Sequence, residues 1–187
     1  MTEGAHSTPG MHLNLRTLQE AQEHVENQYQ PSLFPAEPET FTVIAPVTLA
    51  FDVSKQDGRR YRLAGHVIST LEMSCSRCLE PLALPIDAAF DLEYLPRSEN
   101  VGEGEREIQE DDLATAFYAD ETIDLGTLIA EQLHLAVPMK PLCSETCRGL
   151  CPQCGTNLNV ASCACRPTRE DPRLAGLKAL FKGDIGT

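Results

Sequence analysis

Eight cysteines in four close pairs constrain this chain more than any other feature. They fall as Cys75-x2-Cys78, Cys143-x3-Cys147, Cys151-x2-Cys154 and Cys163-x-Cys165. Their chemistry depends on the compartment. The N-terminus, MTEGAHSTPGMHLNL, has no apolar stretch of the secretory kind, so the expectation is a cytoplasmic protein. In a reducing cytosol such spacings point to metal or redox chemistry rather than to four disulfides. Eight thiols divide into two tetrahedral four-sulfur sites, and Zn2+ is the natural structural occupant of each, because thiolates are soft ligands and the ion needs no redox partner. Cys151-Pro152-Gln153-Cys154-Gly155 is the strongest single signal. A turn of this kind aims two sulfurs at one point, and Gly155 permits the sharp exit.

The spacing leaves more than one pairing open. Cys151, Cys154, Cys163 and Cys165 can close a local site around the loop GTNLNVAS, leaving Cys143 and Cys147 to meet Cys75 and Cys78. Alternatively, Cys143, Cys147, Cys151 and Cys154 surround one metal and Cys75-Ser76-Arg77-Cys78 is a free dithiol. The first pairing is preferred because it leaves no thiol over. It makes metal a direct contributor to folding, since the second site closes some 65 residues of chain. A redox role for Cys75-x2-Cys78 fits poorly, because a nucleophilic CxxC thiol wants a helix N-terminus and Cys75 ends a strand pattern. Arg77 would stabilise a thiolate, but would equally offset the charge of a four-thiolate zinc centre.

Charge excludes another class. The chain carries 28 acids against 15 Lys and Arg, a net −13. Such a body repels nucleic acid over most of its surface and is not a general RNA or DNA coat. The excess is uneven. Residues 135–187 hold seven Lys/Arg against four acids, or +3, which leaves −16 for residues 1–134. Between Glu99 and Asp124 there are ten acids and a single base, Arg106. That run is either a solvated acidic loop, over about 97–123, or a docking surface for a basic partner. Eight thiolates and two Zn2+ would take the loaded protein to about −17.

Hydrophobic residues make up 42% of the 187, enough for a core, but aromatics are 5% and Trp is absent, so the core must be aliphatic. No stretch approaches the roughly 18 apolar residues that span a bilayer. Residues 1–12 read as a disordered extension, and 13–28 have helix-forming composition with a weak apolar stripe. FTVIAPVTLAFDV (41–53) reads as a strand, followed by an Asp57-Gly58 hairpin turn. Apolar residues then alternate at Tyr61, Leu63, Val67, Leu71, Met73 and Cys75. After a turn the alternation resumes at Leu82, Leu84, Ile86, Ala88, Phe90, Leu92 and Tyr94, with Asp87, Asp91 and Glu93 opposite. Alternation of this length means an antiparallel sheet with one wet face. TAFYA (115–119) suits one more short strand. Asp124 caps a helix striped by Leu125, Leu128, Ile129, Leu133 and Ala136 and stopped by Pro138. Asp171-Pro172 opens a last helix. The expected class is therefore α+β: an antiparallel sheet and helix domain over 13–138, then a cysteine-rich zinc module with a closing helix over 139–187, packed on the first domain.

Catalytic motifs are missing: the sequence has no Walker loop, GxGxxG, GxSxG or HExxH. His6, His12, His24, His66 and His134 are scattered, and His134 suits the edge of a core better than a base. An all-sulfur zinc site has no open position for substrate, so no enzyme is expected.

CSRCLEP (75–81), IDLGTLIAEQLHLAVPMKPLC (123–143), CRGLCPQCGTNLN (147–159), CAC (163–165) and DPRLAGLKAL (171–180) resemble, in order and spacing, the bacterial YceD family of large ribosomal RNA subunit accumulation proteins, which has plastid relatives. The resemblance covers about residues 40–182. It implies a role in accumulation or processing of large-subunit ribosomal RNA and in assembly of that subunit. The expected partner is then a basic large-subunit ribosomal protein or a pre-ribosomal particle, with no membrane or DNA. RNA contact, if made, falls to the basic tail: Arg148, Arg166, Arg169, Arg173, Lys178 and Lys182.

Overall fold

The computed structural model describes residues 11–35, 40–56, 59–99 and 114–165. The Asp57-Gly58 turn, most of the acidic run and the helix expected after Asp171-Pro172 lie outside these residues, as does the expected 1–12 extension up to Gly10; its last two residues are ordered instead, with Met11 buried in the core and His12 opening a strand. The chain divides into two compact units. One comprises Met1–Ser74 and Pro81–Pro141, the other Cys75–Glu80 and Leu142–Thr187.

In the first unit, β4 (Val47–Lys55), β5 (Tyr61–Ser74) and β6 (Pro81–Pro96) form an antiparallel meander. Their inward positions carry the expected alternation. Val47, Leu49, Phe51 and Val53 of β4, Leu63, Val67 and Leu71 of β5, and Ile86, Phe90 and Tyr94 of β6 are all buried. Gly65 stands in register between Phe51 and Phe90, whose ring centroids are 6.4 Å apart. A Cβ there would lie 2.1 Å from the Ala50 carbonyl oxygen and 2.5 Å from Phe51 Cα and Cβ, so the close approach of β4 takes the space a side chain would need. The outward face carries cross-strand pairs: His24–Asp52, Arg62–Asp91, Arg60–Glu93 and His66–Asp87.

Two further sequence expectations need correction. Residues 13–28 are not helical: β1 (His12–Asn14) runs into a 3-10 turn, and Gln22–Tyr29 is strand β2, paired with β4 along its whole length. Eight ladder pairs outweigh the helix propensity of Gln and Glu, and a polar, acidic composition suits an edge strand. The 41–53 strand is two strands, β3 (Thr42–Val43) and β4, because Pro46 has no N–H to give the ladder. The Ala45 carbonyl accepts the buried Ser69 hydroxyl at 3.1 Å. The sheet is antiparallel as expected except at one edge. β7 (Thr115–Tyr118) lies parallel to the end of β6. A parallel neighbour needs a return connection of about a dozen residues or more, and 97–114, with the acidic run, is that connection.

The helix follows expectation. β8 (Thr122–Asp124) pairs with β1, and α1 (Leu125–Ala136) starts directly after it. Asp124 Oδ1 accepts the amides of Gly126 at 2.8 Å and Thr127 at 3.1 Å. Leu125, Leu128, Ile129 and Leu133 are buried with Met11, Leu13 and Leu15 in the core shared with the sheet. His134 bonds the Ala130 carbonyl and meets the Phe41 ring edge-on, which places it at a core margin as expected. No described helix is long and apolar enough to cross a membrane.

Candidate metal centres

The second unit is built from the turn 75–80 and the chain from Leu142 onward. Two of its turns share one backbone design. In the first, the Cys75 amide donates to Glu80 O and the Leu79 amide to Cys75 O; in the second, Cys151 donates to Thr156 O and Gly155 to Cys151 O, all at 2.8–2.9 Å. The fifth residue of each is left-handed, with φ +62° at Leu79 and +71° at Gly155. Gly155 is the expected sharp exit. Leu79 fills the same role against the steric preference of a side chain, and is 64% exposed.

These turns present their sulfurs to two groups: Cys75, Cys78, Cys143 and Cys147, and Cys151, Cys154, Cys163 and Cys165. Within each group the sulfurs all lie within 4.8 Å of one another. This is the first of the two pairings left open by the spacing, and Cys75-x2-Cys78 is not a stand-alone dithiol. In the first group Cys75 and Cys147 are 3.8 Å apart, and Cys78 and Cys143 3.6 Å. A disulfide joins sulfurs at about 2.0 Å. A tetrahedron with metal–sulfur bonds of about 2.3 Å has edges of about 3.8 Å. The donor set and its spacing therefore fit a four-coordinate soft cation, and both groups could hold a metal ion.

Electrostatics divide the first group: Cys75 and Cys147 are shifted toward thiolate, Cys78 and Cys143 away from it. Cys75 is lowered to about 6, first by the amide of Cys143 and then by those of Cys78 and Arg77. The contacts from Cys143 N and Arg77 N are 3.4 and 3.5 Å. Cys147 is also held below its ordinary value, chiefly by the Asn159 side-chain amide at 3.2 Å. Cys143 is pushed up to about 12 by its hydrogen bonds with Cys147 and Cys78. The second group repeats the pattern. The Thr156 hydroxyl and amide lower Cys154 to about 6, while hydrogen bonding to Cys154 pushes Cys165 up to about 12. In each group some sulfurs are primed as thiolates and others retain a shared proton, which a bound cation would displace.

The segments are tied together independently of the sulfurs. The Arg77 guanidinium donates to the carbonyls of Cys147 at 2.9 Å and Glu145 at 3.4 Å, while Leu150 N donates to Arg77 O at 3.1 Å. Arg77 thus joins chain segments with its side chain and reaches Cys75 only through its amide. Asn157 Nδ2 bonds Glu80, and Asn159 Oδ1 accepts the Arg148 amide at 2.7 Å. Thr156, Asn157 and Asn159 escape sequence reasoning because GTNLNVAS reads only as a loop closing the second group. The residue type was the available signal, since Asn is the side chain that can donate and accept across a turn. Of the basic candidates, Arg148 is exposed in this unit, and Arg166, Arg169, Arg173, Lys178 and Lys182 lie outside the described residues.

Comparison with known proteins supplies the lineage. No solved structure matches the chain. It is 32% identical over 160 residues to the maize "Large ribosomal RNA subunit accumulation protein YCED homolog 1, chloroplastic", covering 73% of this chain and 54% of that protein. An uncharacterised protein of Mycobacterium tuberculosis is 34% identical over 126 residues, 67% of this chain and 58% of its own length. The uncharacterised Bacillus subtilis protein YlbN is 30% identical over 132 residues, 70% of each chain. The matches thus span little more than half the length of the maize and mycobacterial relatives. The model of the large ribosomal RNA subunit accumulation protein YceD matches residues 63–181, which take in both cysteine groups, and the chain belongs to the YceD family.

Proposed function

We propose that this protein is a non-catalytic, cytoplasmic factor for the accumulation or processing of large-subunit ribosomal RNA, and so for assembly of that subunit. The observation that carries the reading is the match across 63–181 to a family named for large ribosomal RNA subunit accumulation. Each four-cysteine group holds one structural Zn2+, ligated by Cys75, Cys78, Cys143 and Cys147 and by Cys151, Cys154, Cys163 and Cys165. Zinc there supplies a cross-link between chain segments. Four sulfurs leave no coordination position for a substrate, so the metal does no chemistry. In cells lacking the protein, large-subunit ribosomal RNA should fall relative to small-subunit RNA and recover on its return. An unchanged ratio sinks the reading.

The means of action follows from charge. The acid excess of residues 1–134 suits transient binding of a basic large-subunit ribosomal protein, with fast, salt-sensitive encounter. The carboxylates of Asp52, Asp87, Asp91 and Glu93 are already paired on the sheet. Glu121 is paired with Arg59 and Asp124 caps α1, so the contact is assigned to the remaining acids of the run, from Glu99 to Asp112, on their density in the sequence. Failure of the purified protein to retain any large-subunit protein at low salt defeats this step. The +3 charge of 135–187 favours a second reading, direct RNA contact through Arg148, Arg166, Arg169, Arg173, Lys178 and Lys182. Neutralising those six should abolish RNA retention if it is right, and leave it unchanged if protein binding is the route.

A further inference from the structure

We infer that the two cysteine groups are inequivalent metal sites. The 75/78/143/147 centre is permanent, and the 151/154/163/165 centre exchanges its thiophilic cation with chelators and metal acceptors in solution. The inference rests on the metal reading above.

Accessibility separates them first. In the permanent centre Cys75, Cys78 and Cys147 are 0, 3 and 5% exposed, and only Cys143 is open to solvent. In the exchangeable centre only Cys151 is buried; Cys154 and Cys165 are exposed and Cys163 is half-buried. An incoming chelator displaces thiolates one at a time, so two exposed ligands give it successive footholds.

Both centres have hydrogen bonds on their sulfurs, and the chain segments that supply the ligands separate them again. Three N–H donors bear on the sulfurs of the permanent centre, from Arg77, Cys143 and Asn159. In the other centre the Thr156 hydroxyl, at 3.1 Å, and the Thr156 amide bear on Cys154, and the Cys165 amide bears on Cys163. Loss of one such partner typically costs about 10–100-fold in metal affinity. The ligands of the permanent centre come from segments some 65 residues apart, clamped by the Arg77–Cys147, Leu150–Arg77 and Asn157–Glu80 hydrogen bonds. Opening it means parting those segments, whereas the other centre opens within a single stretch of 15 residues.

The loop 155–162 also survives metal loss from its own centre. Leu158 N is held by Gly149 O, Asn159 by the Arg148 amide and Asn157 by Glu80, none of which involves metal. Asn159 therefore stays on Cys147 when the neighbouring site empties.

The test uses the full chain loaded with two equivalents of Zn2+. Transfer to a chromophoric chelator is followed in time, and quenched samples are alkylated and mapped cysteine by cysteine. The expected result is two phases separated at least about tenfold in rate, given the buried ligands of the slow centre and the segments that must part to open it. Cys154, Cys163 and Cys165 should be labelled with the first, and Cys75, Cys78, Cys143 and Cys147 protected until the second. The Cys163→Ser/Cys165→Ser variant should bind one zinc and keep the slow phase. Two zincs leaving together in one phase, or labelling of Cys75 and Cys78 first, overturns the inequivalence and spares the metal reading. A chain that retains no zinc, with eight reactive thiols throughout, overturns both.

Discussion

Replacing Asn159 with alanine should weaken the centre it is not a neighbour of in sequence. Asn159 lies between Cys154 and Cys163, yet its amide donates to Cys147 of the other group at 3.2 Å and its oxygen accepts the Arg148 amide at 2.7 Å. It is also the main cause holding Cys147 below its ordinary value. A hydrogen bond to a charged group contributes about 1.5–3 kcal/mol, while water can replace the acceptor on the exposed Arg148 amide at little cost. A loss of about 2 kcal/mol is roughly 30-fold in zinc affinity, at about 1.4 kcal/mol per tenfold. The assay is chelator competition read with cysteine mapping, so that the affinity of each centre is assigned separately. The 75/78/143/147 centre should weaken about 10–100-fold. The 151/154/163/165 centre should change far less, because its ligating turn is held by Thr156. A change under about threefold at the first centre, or a larger loss at the second, would refute the reasoning.

Three further outcomes follow. Gly149 and Gly155 have φ of +72° and +71°, but a Cβ on Gly149 would sit 3.0 Å from Arg77 O, and one on Gly155 meets nothing within 4 Å. Alanine at either should cost about 1–2 kcal/mol from the backbone, with about 1–3 more at 149, so denaturant melts that rank 155 as the worse site contradict the geometry. Asp124→Ala removes the cap on α1 and should cost about 1 kcal/mol, or about 2–4 °C in Tm by calorimetry; an unchanged Tm would mean the cap is idle. Arg62 hydrogen bonds hold the Asp91 carboxyl below its usual range, so the pair helps above about pH 4 and is lost as pH falls through the folded value. Both side chains are half exposed, so the effect is small. Asp91→Asn should flatten the acid limb of Tm against pH, and an unaltered slope counts against it.

The meander was legible because β4, β5 and β6 turn every second side chain inward, and period two leaves a trace in any sequence. The helix was legible through Asp124 and its leucine stripe. β2 was not, because Glu23, Val25 and Asn27 sit on an edge strand whose character comes from pairing with β4, a non-local fact. The parallel setting of β7 was hidden for the same reason, since strand partners are not written into a four-residue segment. Among the cysteines, ligand type was readable from spacing, but the partition was not, because both pairings satisfy it. What decides is that Cys75–Glu80 folds with the chain beyond Leu142. Leu79 was hidden most deeply, because a left-handed leucine contradicts the residue preference by which such turns are recognised.

Metal stoichiometry tests the central claim most directly, measured by elemental analysis of the purified native protein together with a count of alkylatable thiols before and after strong chelation. Two zinc ions, no reactive thiol in the native protein and eight after chelation are expected. One metal with four reactive thiols, Cys75 and Cys78 among them, would contradict the paired-centre structure and return the free-dithiol alternative.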